Sequence, residues 1–191
     1  MEQKHYIIRG GEEGRARLLV LSRVMRPTTL SLLNRAGIRP GMECLEAGCG
    51  SGDLAFDLAG IVGPSGRVVA TDIDEIKLKL ARQEAEQQRL TNLEFRLADI
   101  VEDELENFDF VQARFVLTHL LNQQKALEKM WEAIHPGGIL AIQDTDFRGH
   151  FCHPECAAFS RYVELDTKTA QRRGRSEHWA AAAGTSYKSK I

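Results

Sequence analysis

The stretch Cys44-Leu45-Glu46-Ala47-Gly48-Cys49-Gly50-Ser51-Gly52 decides the fold of this chain. A short apolar strand runs directly into a glycine-rich turn, and Asp72 follows roughly one βαβ unit later. Glycine at 48, 50 and 52 lets backbone come within van der Waals distance of a ligand, because no Cβ intervenes. An acidic residue about 20 positions beyond such a turn is placed to grip a ribose. The combination predicts a site for a nucleoside-containing cofactor.

Around this turn, strands alternate with helices. Residues 42–47 read as a buried strand and 53–61 as a helix, with Leu54, Leu58 and Ile61 at helical spacing. Gly63-Pro64-Ser65-Gly66 is a turn, 67–71 a β-branched second strand, and 74–89 a helix with Asp74 as its N-cap. Strands follow at 92–97 and 108–113, then a helix over 123–134, closed by His135-Pro136-Gly137-Gly138, and a fifth strand at 139–143. Ahead of the turn, 12–36 is helical with a break expected near Pro27 and an end at Gly37. The alternation predicts an α/β fold: a parallel sheet sandwiched by helices through right-handed crossovers. Ligands bind such sheets at the carboxyl ends of the strands, where the 48–52 turn, Asp72, Asp99 and Arg114 all fall.

Bulk properties narrow the function. The 191 residues suffice for one domain with a sizeable core, and 43% apolar with 27% charged residues is ordinary for a globular protein. A net charge of -2 gives no electrostatic reason to expect nucleic acid or an anionic membrane as partner. Neither a signal-peptide pattern nor a membrane span is read, so a cytoplasmic location with free thiols at Cys44, Cys49, Cys152 and Cys156 is expected.

The turn spacing discriminates among nucleotides. A dinucleotide fingerprint needs its third glycine at position 53, which is Asp53. A carboxylate there competes with a pyrophosphate for one helix N-terminus, which argues against an NAD-dependent oxidoreductase. No Gly-Lys-Ser/Thr closes the turn, so the P-loop reading fails too.

At this point the residues resemble a known family, the class I S-adenosylmethionine-dependent methyltransferases. Leu45-Glu46-Ala47-Gly48-Cys49-Gly50-Ser51-Gly52 resembles their first motif, Ala70-Thr71-Asp72-Ile73-Asp74 the second, and Leu97-Ala98-Asp99-Ile100 the third. Phe108-Asp109-Phe110-Val111 resembles the fourth strand, and Ile134-His135-Pro136-Gly137-Gly138 the turn into the fifth. The match covers roughly residues 38–145 and is similar in flavour to small-molecule methyltransferases of the quinone-biosynthesis type. It implies a Rossmann-like sheet of order 3-2-1-4-5, S-adenosylmethionine as cofactor and a small-molecule acceptor. By the same resemblance Asp72 meets the ribose, Asp99 the adenine amine and Glu46 the amino-acid end. Ala47, Gly48, Cys49, Gly50, Gly52, Ile73, Ala98, Ile100 and Arg114 complete the implied cofactor-binding set.

The reaction that the resemblance implies is an in-line displacement that needs alignment above all. A base is useful only if the acceptor must lose a proton, and His119, after the fourth strand, is the candidate. Asp146, Phe147 and His150 are read as lining the acceptor pocket. The His and Cys residues of 146–156 do not have zinc-knuckle spacing, and no metal is assigned. On this resemblance the chain divides into a helical cap or lid (1–37), in which 6–15 either folds over the cofactor or is a mobile terminus, a cofactor domain (38–145), an acceptor-side loop and helix (146–174) and an atypical tail (175–191). The tail lacks the alternating pattern of the family's last two strands. A frameshift or truncation is the expectation, which leaves a catalytically impaired cofactor-binding module as the competing reading.

Overall fold

The computed structural model describes residues 11–145 and 151–172. At its centre lies β1 (Glu43–Ala47), paired in parallel with β2 (Arg67–Asp72) on one side and β4 (Phe108–Arg114) on the other. β3 (Leu93–Leu97) extends the sheet beyond β2, and β5 (Ile134–Gln143) beyond β4. The order β3-β2-β1-β4-β5 is the one the motifs implied. Cys44 to Ala47 and Val68 to Thr71 are all buried, as central strands covered on both faces must be.

Register decides which helices cover which face. On one face Cys44, Val68, Phe110 and Ala141 pack against Leu33 of α1 (Gly11–Ala36) and against Leu54, Leu58 and Val62 of α2 (Asp53–Val62). Ala70 and Phe95 continue that face beneath Leu78 and Ala81 of α3 (Glu75–Gln87). On the other, Leu45, Val69, Val111 and Ala113 meet Ala126 and Met130 of α4 (Gln123–Glu132). The edge strand β3 is guarded by charge: Glu94 and Arg96 join Arg67 and Glu106 in an ion-pair cluster.

Three local expectations change. Pro27 does not break α1, which runs through it. The missing N–H costs one helical bond, but the helix is held beyond that point. Leu30 and Leu33 pack into the core, and Arg26 donates bidentately to Asp57 of α2 at 2.7–3.1 Å. The helix ends at Gly37 (φ 93), where Gly37 N–H bonds Asn34 O and Ile38 N–H bonds Leu33 O, a left-handed cap. The second change is at α4, which stops at Glu132 rather than 134. Thirdly, β5 opens at Ile134, ahead of the Pro-Gly-Gly turn, which becomes an irregularity within the strand: Phe108 pairs Ile134 while Phe110 pairs Ile139. A Cβ at Gly138 would stand 2.8 Å from Asp109 O, so that excursion needs its glycine. Asp74 caps α3 as expected, accepting from Ile76 and Lys77 N–H. The last helix is α5 (Ala157–Arg172). Residues 1–10, 146–150 and the tail from 173 lie outside the described residues.

Candidate active site

The turn after β1 is built by its own backbone. Cys49 N–H donates to Thr71 O at 2.8 Å and Gly52 N–H to Cys49 O at 2.9 Å. Gly48, Gly50 and Gly52 all take positive φ (70, 56 and 81), a region that side-chain-bearing residues resist. The three differ in what surrounds them. A Cβ at Gly48 would stand 2.5 Å from Val116 Cγ2, and one at Gly52 2.9 Å from the Phe95 ring. At Gly50 the nearest atom is Leu18 Cδ1 at 3.4 Å. Two of the glycines therefore serve packing, whereas a Cβ at Gly50 would be in ordinary contact only and the residue lines the cavity.

That cavity, of about 770 Å³, lies across the carboxyl ends of the strands. Glu46, Gly48, Cys49 and Gly50 reach it from β1 and its turn, and Asp72 and Ile73 from β2. Ala98, Asp99 and Ile100 line it after β3, and Arg114 and His119 after β4. Two predicted residues lie behind the wall. Ala47 is fully buried in the core under α4, and Gly52 packs on Phe95 and Ala81. Their strand and turn positions alternate away from the cavity. Asp146, Phe147 and His150 lie outside the described residues, and among the described side chains of 151–168 none lines the cavity.

Acids gather at one side. Asp72 is half-buried; its Oδ2 accepts Gly50 N–H at 2.8 Å and its Oδ1 accepts Asp74 N–H at 2.9 Å. Each oxygen keeps a further lone pair for a ligand hydroxyl. Asp99 Oδ1 accepts Val101 N–H at 3.0 Å, which pins the turn after β3. Asp53 opens α2 and lines the cavity, so the helix end a pyrophosphate would use already carries a carboxylate. Glu46 is 2% exposed, and its Oε2 has no hydrogen-bond partner. Burial pushes its carboxyl up to about 8, against the pull of Arg114, with Asp53, Asp72 and Asp57 pushing the same way. Burial, then Glu46 and Asp72, hold the Cys49 thiol well above the usual range, so it is a packing group rather than a nucleophile.

Sequence reading missed part of this wall. Arg17, Leu18, Leu21 and Ser22 bring α1 over the strand ends, and Lys77, 5% exposed, enters from α3 with its Nζ 3.4 Å from Asp74 Oδ2. Phe115 also lines the cavity in a left-handed conformation (φ 56). Only Lys77 left a signal, three residues after the N-cap that it faces. After β4, Leu117–His119 forms a 3₁₀ turn fastened to the end of β5, where Thr118 donates its N–H and its hydroxyl to Asp144 at 3.2 and 3.0 Å.

Residues 38–184 match the family model of the methyltransferase domain. The chain belongs to that family. Its architecture is that of the class I S-adenosylmethionine-dependent methyltransferases, as the motifs implied. It is 28% identical over 135 residues to the demethylmenaquinone methyltransferase of Lactococcus lactis, covering 70% of this chain and 51% of the relative. It is also 34% identical over 125 residues to the ubiquinone/menaquinone biosynthesis C-methyltransferase UbiE of Ectopseudomonas mendocina, covering 64% of this chain and 48% of that one. The chain thus spans about half the length of the curated relatives it matches. Among solved structures, a SAM dependent methyltransferase from Aquifex aeolicus shares the fold, with a TM-score of 0.59 at 24% identity over 75% of this chain and 77% of that one. TrmN from Thermus thermophilus aligns with a TM-score of 0.54 at 32% identity, over 59% of this chain and 36% of that one. In the described residues no helix is long and apolar enough to cross a membrane.

Proposed function

We propose that this methyltransferase domain binds S-adenosylmethionine in the cavity and transfers its methyl group to a small molecule of the kind handled by the quinone-biosynthesis relatives. The observation that carries this reading is one cavity holding Gly50 and the acids of three neighbouring strands, Glu46, Asp72 and Asp99. The residues fit the cofactor. Glu46 Oε2, buried and without a partner, suits an ammonium; Asp72 suits the ribose hydroxyls; Asp99 suits the purine amine; Ile73 and Ile100 supply apolar contact. Gly50, where an added Cβ would meet only Leu18 Cδ1 at 3.4 Å, is the turn glycine with most room for a ligand.

When bound, S-adenosylmethionine supplies a methyl group on a sulfonium, which needs no further activation. The chain's task is then orientation and dryness, and alignment alone can account for about 7–11 kcal/mol of a barrier. Leu18, Leu21, Val116 and Leu120 add apolar surface to the cavity lining, which suits a poorly water-soluble acceptor. His119 also lines the cavity and can take a proton from an acceptor hydroxyl or carbon acid. The test is methyl transfer itself. The chain, S-adenosylmethionine with a labelled methyl group and a demethylated naphthoquinol should yield label in the organic phase and an equal amount of S-adenosylhomocysteine. Label that stays entirely in the nucleoside, while the cofactor binds, defeats the acceptor assignment; no cofactor binding defeats the whole reading.

A further inference from the structure

The outer face of α1 carries aliphatic side chains that nothing among the described residues covers. Ser22, Thr29 and Leu33 mark the buried stripe of this helix at helical spacing. Away from that stripe Val20 and Val24, one turn apart, are 62% and 70% exposed. Leu21, a helical neighbour of Val24, is 36% exposed and also lines the cavity. Leu121, which follows the 3₁₀ turn, lines the same cavity and is 67% exposed. Single exposed aliphatic residues are ordinary, but here they adjoin one another on the helix that walls the cavity.

The same stretch is cationic. Residues 17–42 carry five arginines and no acid, and the acids of α1, Glu12 and Glu13, stand in its first turn. Arg26 is held by Asp57, whereas Arg17 and Arg23 are exposed and pair with no acid among the described residues. The net charge of -2 for the whole chain conceals this local polarity.

We propose that the exposed face of α1 docks this domain on the surface of an anionic lipid bilayer. An interfacial helix places aliphatic side chains at the acyl boundary, flanked by cations that reach the headgroup phosphates. Arg17, Val20, Leu21, Arg23 and Val24 supply both within about two turns. A soluble polyanion would use the arginines but gain nothing from the valines. A two-fold contact with a second copy would set one arginine-bearing helix against another. The inference goes beyond the proposed reaction and stands independently of it. Its consequence for that reaction is that an apolar acceptor reaches the Leu21 wall of the cavity from lipid.

Co-sedimentation of the full chain with sucrose-loaded vesicles tests the docking. Vesicles of phosphatidylcholine alone are compared with vesicles containing about one-third phosphatidylglycerol. Wild type should bind the anionic vesicles, release from them in high salt and bind the neutral ones far more weakly. Arg17→Gln combined with Arg23→Gln should weaken binding about 10- to 30-fold, at about fivefold for each cation. Val20→Ser combined with Val24→Ser should weaken it about tenfold or more with the charge unchanged, and Val24→Trp should strengthen it. The substituted side chains are exposed, so each variant should keep the wild-type melting temperature. Wild type that stays in the supernatant with anionic vesicles overturns the proposal. Binding that the arginine pair abolishes and the valine pair leaves intact also overturns it, because it identifies a polyanion site. A dimer that the valine pair dissociates, in place of vesicle binding, overturns it in favour of a protein interface.

Discussion

The Asp72 carboxylate accepts the Gly50 backbone N–H at 2.8 Å, so the residue that ends β2 holds the turn that follows β1. The same side chain also accepts Asp74 N–H and thereby fixes the start of α3. Asp72 is both a candidate ligand to the ribose and the tie between two cavity walls. Asp72→Ala should weaken S-adenosylhomocysteine binding about 10- to 150-fold and lower stability by about 1–2 kcal/mol through the two orphaned N–H groups. Calorimetry and denaturant unfolding measure the two effects; wild-type affinity in the variant would remove Asp72 from the site.

Glu46 gives a pH signature. An acid whose folded-state value lies above its unfolded one holds its proton more tightly in the folded chain. Its stabilising share is full below about 4.5 and is lost as pH rises through about 8. Glu46→Gln should therefore match wild type in stability near pH 4.5, and exceed it by pH 9 by an amount on the order of a few kcal/mol. The variant should lose cofactor affinity most at high pH, where the wild-type carboxyl is ionised, and least at low pH, where both side chains are neutral. Scanning calorimetry across this range checks the sign; a variant less stable than wild type at pH 9 would refute desolvation as the cause of the raised value.

Gly48→Ala places a Cβ against Val116 Cγ2 at 2.5 Å and in a left-handed backbone. A loss of about 1–3 kcal/mol is expected. Val116→Ala in the same chain should restore part of it, because the clash is relieved while the backbone strain stays. Equal stability of the single and double variants would show that Val116 is not the obstacle.

His119→Ala tests the base. With the 3₁₀ turn still fastened through Thr118 to Asp144, the variant should keep its cofactor affinity and lose about 100-fold or more in kcat. An unchanged kcat rules the base role out.

How far the sequence carried follows from what each feature depends on. The glycine turn, the N-cap at Asp74 and the acids at the strand ends are local chemistry, and they stand where the spacing put them. The alternation of strands with helices likewise gives the parallel sheet, and the motifs supply its order. Pro27 misled because the helix is stabilised by distant partners, Asp57 and the Leu33 pocket, which no window around residue 27 contains. Arg17, Leu18 and Leu21 reach the cavity only because α1 crosses the strand ends, and Phe115 looks ordinary until its φ is seen. Ala47 and Gly52 show the converse: a motif names neighbours in sequence, and alternation sends some of them into the core.

The most direct test is a crystal structure of the full chain grown with S-adenosylhomocysteine. The account predicts the adenosyl group beside Gly50, with its ribose hydroxyls on Asp72 and its purine amine at Asp99. The nucleoside bound elsewhere, or absent from this crevice at saturating concentration, would contradict it.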